Sequence, residues 1–316
     1  MHGVCDEELE DMMEGPTCPL IYPTASEAAS LNAFMQRTYP DRYESQRLYH
    51  YTTPEVVEKL FADEADLWLS HIGRLNDNSE WVGGLEYVDK YLRKRGRDNL
   101  ADDYVLLREG KGCVPYVLSM SQYKDKASMW GMYGDRKLGG YAVGFDRADL
   151  EQLVEIKNRE SKDEYFLLPC LYKGKHEIDK LIEYILDGFH SDEDEHLFRR
   201  GCGDEIHTRS LSRLIFVSLI IKDGSFDYED EWRLVVRINY VGPVGWDDLE
   251  VPEFEKPHIN SCLFKRTLRE YFREVVVSPC GPNWMREVNQ SRLEKWRDKY
   301  SLEFKVCSSS SPYNGR

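Results

Sequence analysis

The stretch Leu48-Tyr49-His50-Tyr51-Thr52-Thr53-Pro54-Glu55 decides how the chain is read. Leu48 and Tyr49 suit a half-buried strand. Thr52 or Thr53 can cap a helix, Pro54 fits its first turn, and Glu55 favours the positive end of the helix dipole. The spacing predicts a short strand over 47–51 that carries a histidine near its end and turns into a helix over 54–61. Val56, Val57, Leu60 and Phe61 give that helix an apolar side. A histidine at the mouth of such a turn is placed to meet a ligand. Taken alone, His50 is better explained as filler between Tyr49 and Tyr51.

Reading outward, Leu67-Trp68-Leu69-Ser70 is a second strand, and Arg74-Leu75-Asn76-Asp77-Asn78-Ser79 is dense in turn formers. A helix follows over 80–94, and 96–112 is polar and partly helical. Residues 115–121 read as a strand ending in Ser119 and Ser121, followed by a short helix within 122–133. Gly139-Gly140 opens a strand over 141–146. A charged helix from Asp149 to about Val154 and a strand over 165–172 come next. Residues 175–214 read as helical, interrupted by the acidic run Ser191 to Glu195. The apolar run Leu214 to Ile221 reads as a buried strand. Residues 227–238 read as a strand entered through Glu229 and Glu231. A basic helix over 263–272, a strand at 275–279, a helix over 291–299 and a strand at 303–307 complete the chain. The pattern defines an α+β protein: an acidic leader and short helix over 1–45, a single mixed α/β domain over 46–307 with a helical insertion at about 175–213, and a loose tail over 308–316.

A net charge of −15 makes binding of nucleic-acid phosphates by the whole surface an unfavourable reading. The first fifteen residues are polar and acidic rather than a secretory signal, and no run approaches the length of a membrane helix. The eight cysteines form no CxxC and no zinc spacing, as expected for reduced thiols in the cytoplasm. Neither a GxGxxG turn, a P-loop nor a GxSxG elbow occurs.

Single polar residues therefore stand at strand ends: His50, then Asn76, Asp77 and Glu80, then Ser119 and Ser121, and finally Glu229 and Glu231. Each has a plain structural role open to it. Asn76-Asp77 is turn chemistry, the serines can face solvent, and two like charges on one strand face need a relieving partner such as Arg233 or a ligand.

The ordered blocks Leu48 to Thr52, Leu67 to Ser70, Leu75 to Glu80, Val117 to Ser121, Met129 to Asp135, Gly144 to Asp146 and Glu229 to Leu234 resemble the bacterial domain-of-unknown-function family 2971, over about residues 47–285. Their layout is similar to the ADP-ribosyltransferase fold of split antiparallel sheets with flanking helices. The resemblance implies that NAD is consumed as a substrate, without a metal. Glu231 would be the catalytic glutamate and Glu229 the first acid of an ExE-like pair. His50, with Tyr51 and Thr52, would hold a ribose. Ser119 and Ser121 would stand where the fold often has tyrosine or S-T-S; here the central residue is Met120. Tyr133 or Tyr141 would serve as the nicotinamide platform, Asn76 would line the site, and Arg74 or Arg136 would meet the pyrophosphate. A carboxylate stabilises the oxocarbenium-like transition state of such a reaction. The implied function is ADP-ribosyl transfer to a protein or nucleic acid, or NAD glycohydrolysis, in a toxin or phage-defence effector with a neutralising antitoxin or immunity partner. One alternative is a non-catalytic nucleotide- or protein-binding module of the same fold. Another is a metal-dependent hydrolase or nuclease using His50, Asp77, Glu80, Glu229 and Glu231.

Overall fold

The computed structural model describes residues 25–61, 67–72, 80–109, 113–135, 137–160, 164–187, 203–239, 258–261 and 271–312. Arg74, Asn76, Asp77 and Arg136, all read above as site residues, lie outside these, as does most of the basic helix expected over 263–272. Helix α1 (Ala25–Thr38) precedes β1 (Arg47–Thr52), which turns directly into α2 (Pro54–Phe61). The strand–histidine–helix unit is therefore present as the sequence predicts. The remaining strands are β2 (Leu67–His71), β3 (Cys113–Ser121), β4 (Tyr141–Asp146), β5 (Glu164–Pro169), β6 (Leu171–Tyr172), β7 (Ile221–Lys222), β8 (Glu231–Asn239), β9 (His258–Ser261), β10 (Phe272–Val277) and β11 (Lys305–Ser308). The helices between them are α3 (Glu80–Lys94), α4 (Asp98–Glu109), α5 (Ala127–Tyr133), α6 (Arg147–Glu160), α7 (Glu177–Leu186), α8 (Gly203–Ser218) and α9 (Asn283–Lys299).

Nine strands form one mixed sheet with the path β11-β10-β4-β1-β3-β2-β9, and β8 and β5 extend it from β3. One edge of β3 is taken by β8 along its full length, from Cys113↔Asn239 to Ser121↔Glu231. The other edge is shared. Ser121 pairs with Tyr49 of β1, while Val117 and Tyr116 pair with Ser70 and His71 of β2. The sheet therefore forks at residues 118–120, with β1 and β2 diverging from the same edge.

Helices flank this sheet because its strands carry apolar residues on both faces. The main core runs from Leu31 and Met35 of α1 through Phe61, Phe145 and Phe272 to Leu214 and Phe216 of α8. Burial of each such side chain contributes roughly 1.5–3 kcal/mol. A smaller cluster of Tyr49, Tyr51, Met129, Trp130, Ala142, Val276 and Cys280 lies beneath α5.

Four sequence readings need correction. Of the run 214–221, residues 214–218 are the buried end of α8, 219–220 form a turn, and only Ile221, with Lys222, is strand, because a short continuous apolar run suits a helix buried on all sides as well as a strand. The strand expected over 165–172 breaks at Cys170, and its last two residues pair in parallel with β7 in a separate two-stranded sheet. Glu229 ends a 3-10 helix (Gly224–Glu229) instead of lying on β8. The tail over 308–312 is hydrogen-bonded rather than loose.

Candidate functional site

The fork in the sheet positions His50. Beyond Tyr49 no backbone pair of β1 with β3 is formed, and the His50 ring spans the gap instead. Its Nδ1 lies 3.0 Å from the carbonyl oxygen of Ser119. A carbonyl only accepts, so Nδ1 carries the proton and Nε2 is left as an acceptor in the neutral ring. Burial holds the His50 pKa below its ordinary value, against the opposing effect of the Ser119 hydrogen bond. The ring is half-buried and neutral at physiological pH.

Register decides which predicted site residues can meet. Tyr49, Ser121 and Glu231 are cross-strand neighbours, so their side chains share one face. Ser119 and Tyr51 alternate onto that same face. His50 pairs with Val143, and Thr52 with Tyr141, which places His50, Thr52 and Tyr141 on the opposite face. The sequence-predicted site is thus divided by the sheet. Tyr141 is fully buried and its hydroxyl donates to the backbone oxygen of Asn289 at 3.2 Å, so it offers no exposed ring for stacking. The Tyr51 hydroxyl donates to the carbonyl of Tyr123 at 2.7 Å and accepts from the backbone N–H of Lys126 at 3.2 Å. Tyr133 is half-buried beside the small cluster under α5.

Glu231 and Glu229 converge on one cation that the sequence reading missed, Lys222. Asp230 between the two acids has φ +47°, a left-handed conformation that a non-glycine residue adopts at a cost. The turn is held by an ion pair from Arg42 to the Asp230 carboxylate. It aims both acids at the Lys222 ammonium, which donates to Glu229 Oε2 and, at 2.7 Å, to Glu231 Oε2. Arg233 Nε donates to Glu231 Oε1 at 2.9 Å, and Arg233 Nη1 to the Leu219 carbonyl at 2.5 Å. These four charged side chains are 0–3% exposed. Two acids and two bases balance, which is the condition for burying such a group. Burial alone would raise the Glu231 pKa, but Arg233 and Lys222 outweigh it and bring it down to about 2. The backbone is equally committed: Glu231 N–H donates to the Tyr172 hydroxyl at 2.9 Å, and its carbonyl accepts from Cys170 N–H at 2.8 Å. Ser121 is fully buried, and its hydroxyl donates to the Glu229 carbonyl at 2.6 Å. The only signal in the sequence for Lys222 is a lone lysine closing the apolar run Leu219-Ile220-Ile221.

Among the described residues no group of three His, Cys, Asp or Glu is arranged to hold a metal ion, and no helix is long and apolar enough to cross a membrane. The metal-dependent alternative would draw on Glu229 and Glu231, whose charges Lys222 and Arg233 already meet.

A mixed α/β fold with a forked sheet and a histidine at the fork is what the chain presents. Residues 129–234 match the model of a family described as proteins of unknown function, DUF2971. That span includes the blocks at Met129, Gly144 and Glu229 but not the one at His50. No curated protein and no solved structure matches the chain.

Proposed function

We propose that the chain is a binding module for a nucleotide of the NAD type, of ADP-ribosyltransferase-like layout, that does not use Glu231 to turn its ligand over. The observation that carries this reading is the closed ion-pair network of Glu229, Lys222, Glu231 and Arg233, set on the opposite face of the sheet from His50. A carboxylate that must meet a ribosyl cation has to reach the ligand. Glu231 reaches two cations instead, and to free it would take from buried Arg233 its carboxylate and from Lys222 one of its two, a cost of about 3–5 kcal/mol.

His50 supports the binding half of the proposal. A neutral imidazole with Nε2 free to accept suits the hydroxyl of a ribose better than a phosphate. The choice of a nucleotide rests on the ordered motif layout. The thiols of Cys280 and Cys307, which form no disulfide, fit a cytoplasmic setting.

One observation favours the NAD-consuming reading, with ADP-ribosyl transfer to a macromolecule in a toxin or defence role. Glu231 is held ionised, the state that stabilises an oxocarbenium ion, and it lies in the same cross-strand row as Ser121. Purified protein, with its Glu231→Gln and His50→Ala variants, separates the two in a calorimetric titration with NAD paired with chromatography of the products. The expected result is saturable NAD binding that His50→Ala weakens, with no nicotinamide formed. Nicotinamide formed by the wild type and lost in Glu231→Gln would establish the consuming reading instead.

A further inference from the structure

Segment 308–311 is four consecutive serines, of which Ser309, Ser310 and Ser311 meet the carboxylate of Asp125. Strand β11 adds in parallel to β10, from Glu274↔Lys305 to Val277↔Ser308, and Ser309 N–H continues the ladder to the Val277 carbonyl at 3.0 Å. The chain then crosses to the loop between β3 and α5. There the Asp125 carboxylate accepts from Ser309 Oγ at 2.5 Å, Ser310 N at 2.6 Å, Ser310 Oγ at 2.9 Å and Ser311 N at 3.1 Å. It also accepts from Trp130 Nε1 at 2.7 Å. Burial by itself would raise the Asp125 pKa, but these donors hold it below the ordinary range, so the clasp keeps its charge across physiological pH.

The same loop is gripped on its other side by Tyr51, the residue after His50. The Tyr51 hydroxyl bonds the backbone of Tyr123 and Lys126, which bracket Asp125. Serine strap, Asp125, loop 122–126 and Tyr51 thus form one continuous hydrogen-bonded chain ending beside the fork.

We propose that segment 308–311 is a strap that holds the loop 122–126 closed against Tyr51, so that release of the strap at Asp125 opens the loop over Tyr51, on the face of the sheet opposite His50. It is a conformational device built on surface: Ser310 is exposed, while Asp125, Ser309 and Ser311 are half-buried, so release uncovers little apolar area. The strap is independent of the identity of any ligand at the fork, and its test contains none.

Amide hydrogen exchange of the full chain, compared with a Ser309→Ala plus Ser310→Ala variant, reads the coupling. That pair leaves the Asp125 bond to Trp130 in place, so the fold is kept. A second variant, Asp125→Asn, removes the charge. The expected result is that exchange at Ser311 and at Lys126 accelerates together, by about tenfold or more, as for loss of hydrogen bonds to a charged acceptor. Lys126 receives no bond from the strap itself, so its acceleration reports transmission through the loop. Faster exchange at Ser311 with Lys126 unchanged in both variants would overturn the proposal. So would unchanged exchange at both amides.

Discussion

His50 owes its chemistry to one hydrogen bond and one unpaired span of strand. On the β1 branch of the fork its ring does what a backbone pair would otherwise do, and satisfies the Ser119 carbonyl. Because burial lowers its pKa, the unfolded chain binds more protons than the folded one just below the ordinary histidine value of 6.5. This contribution to stability is therefore complete above that value and declines as pH falls through it toward the lower folded-state pKa. An NMR titration of the His50 imidazole should give a midpoint below 6.5; a midpoint above it would mean that the ring has gained an anionic partner. Glu231 has the sign usual for a carboxylate. With a folded-state pKa of about 2 against an ordinary 4.5, its stabilising effect is present above 4.5 and is lost as pH falls toward 2. Glu231→Gln should cost about 3–5 kcal/mol near neutrality. The gap from the wild type in denaturant titrations should narrow between pH 5 and pH 3, and a gap constant with pH would place the charge elsewhere. Of these two residues, His50 and Glu231 were both legible in the sequence as polar groups at strand ends. Of their partners only Arg233 was: Ser119 acts through a backbone carbonyl, which any residue supplies, and Lys222 sits in a two-residue strand whose neighbour, β6, is remote in sequence.

Elements with local start signals were the most legible. The Thr-Pro-Glu entry to α2 and the apolar spacing of α3 give boundaries that agree with the structure. The run over 214–221 was misread because its apolar character is continuous, and what makes it a helix is the packing of α8 against α3. That contact explains Gly84 inside α3, where glycine costs about 1 kcal/mol relative to alanine. A Cβ on Gly84 would collide with the Ser218 backbone oxygen at the end of α8. Gly84→Ala should thus destabilise the protein by about 1–3 kcal/mol, the usual range for overpacking, despite its better helix propensity. Thermal or denaturant unfolding would show it, and a stabilised variant would mean that the two helices stand further apart. Strand β9 and the fork itself left no trace in the sequence, since each depends on pairing between segments far apart in the chain.

Across the molecule, the short helix α1 and the described part of the helical insertion read from the sequence belong to one core. Leu31 and Met35 of α1 and Ile178 and Leu181 of α7 are buried in the same cluster as the sheet. Arg42, just past α1, holds the left-handed Asp230 that aims Glu229 and Glu231 at Lys222. The acids that the motif order singled out are thereby tied into the interior, and the histidine at the fork is left on the other face as the half-exposed polar group. NAD titrated into the protein while the His50 imidazole and the nicotinamide ring are followed in the same NMR spectra tests this division directly. The expected result is a saturable shift of the His50 signal with the dinucleotide remaining intact over hours. An unmoved His50 signal, or free nicotinamide accumulating in a manner that depends on Glu231, would contradict it.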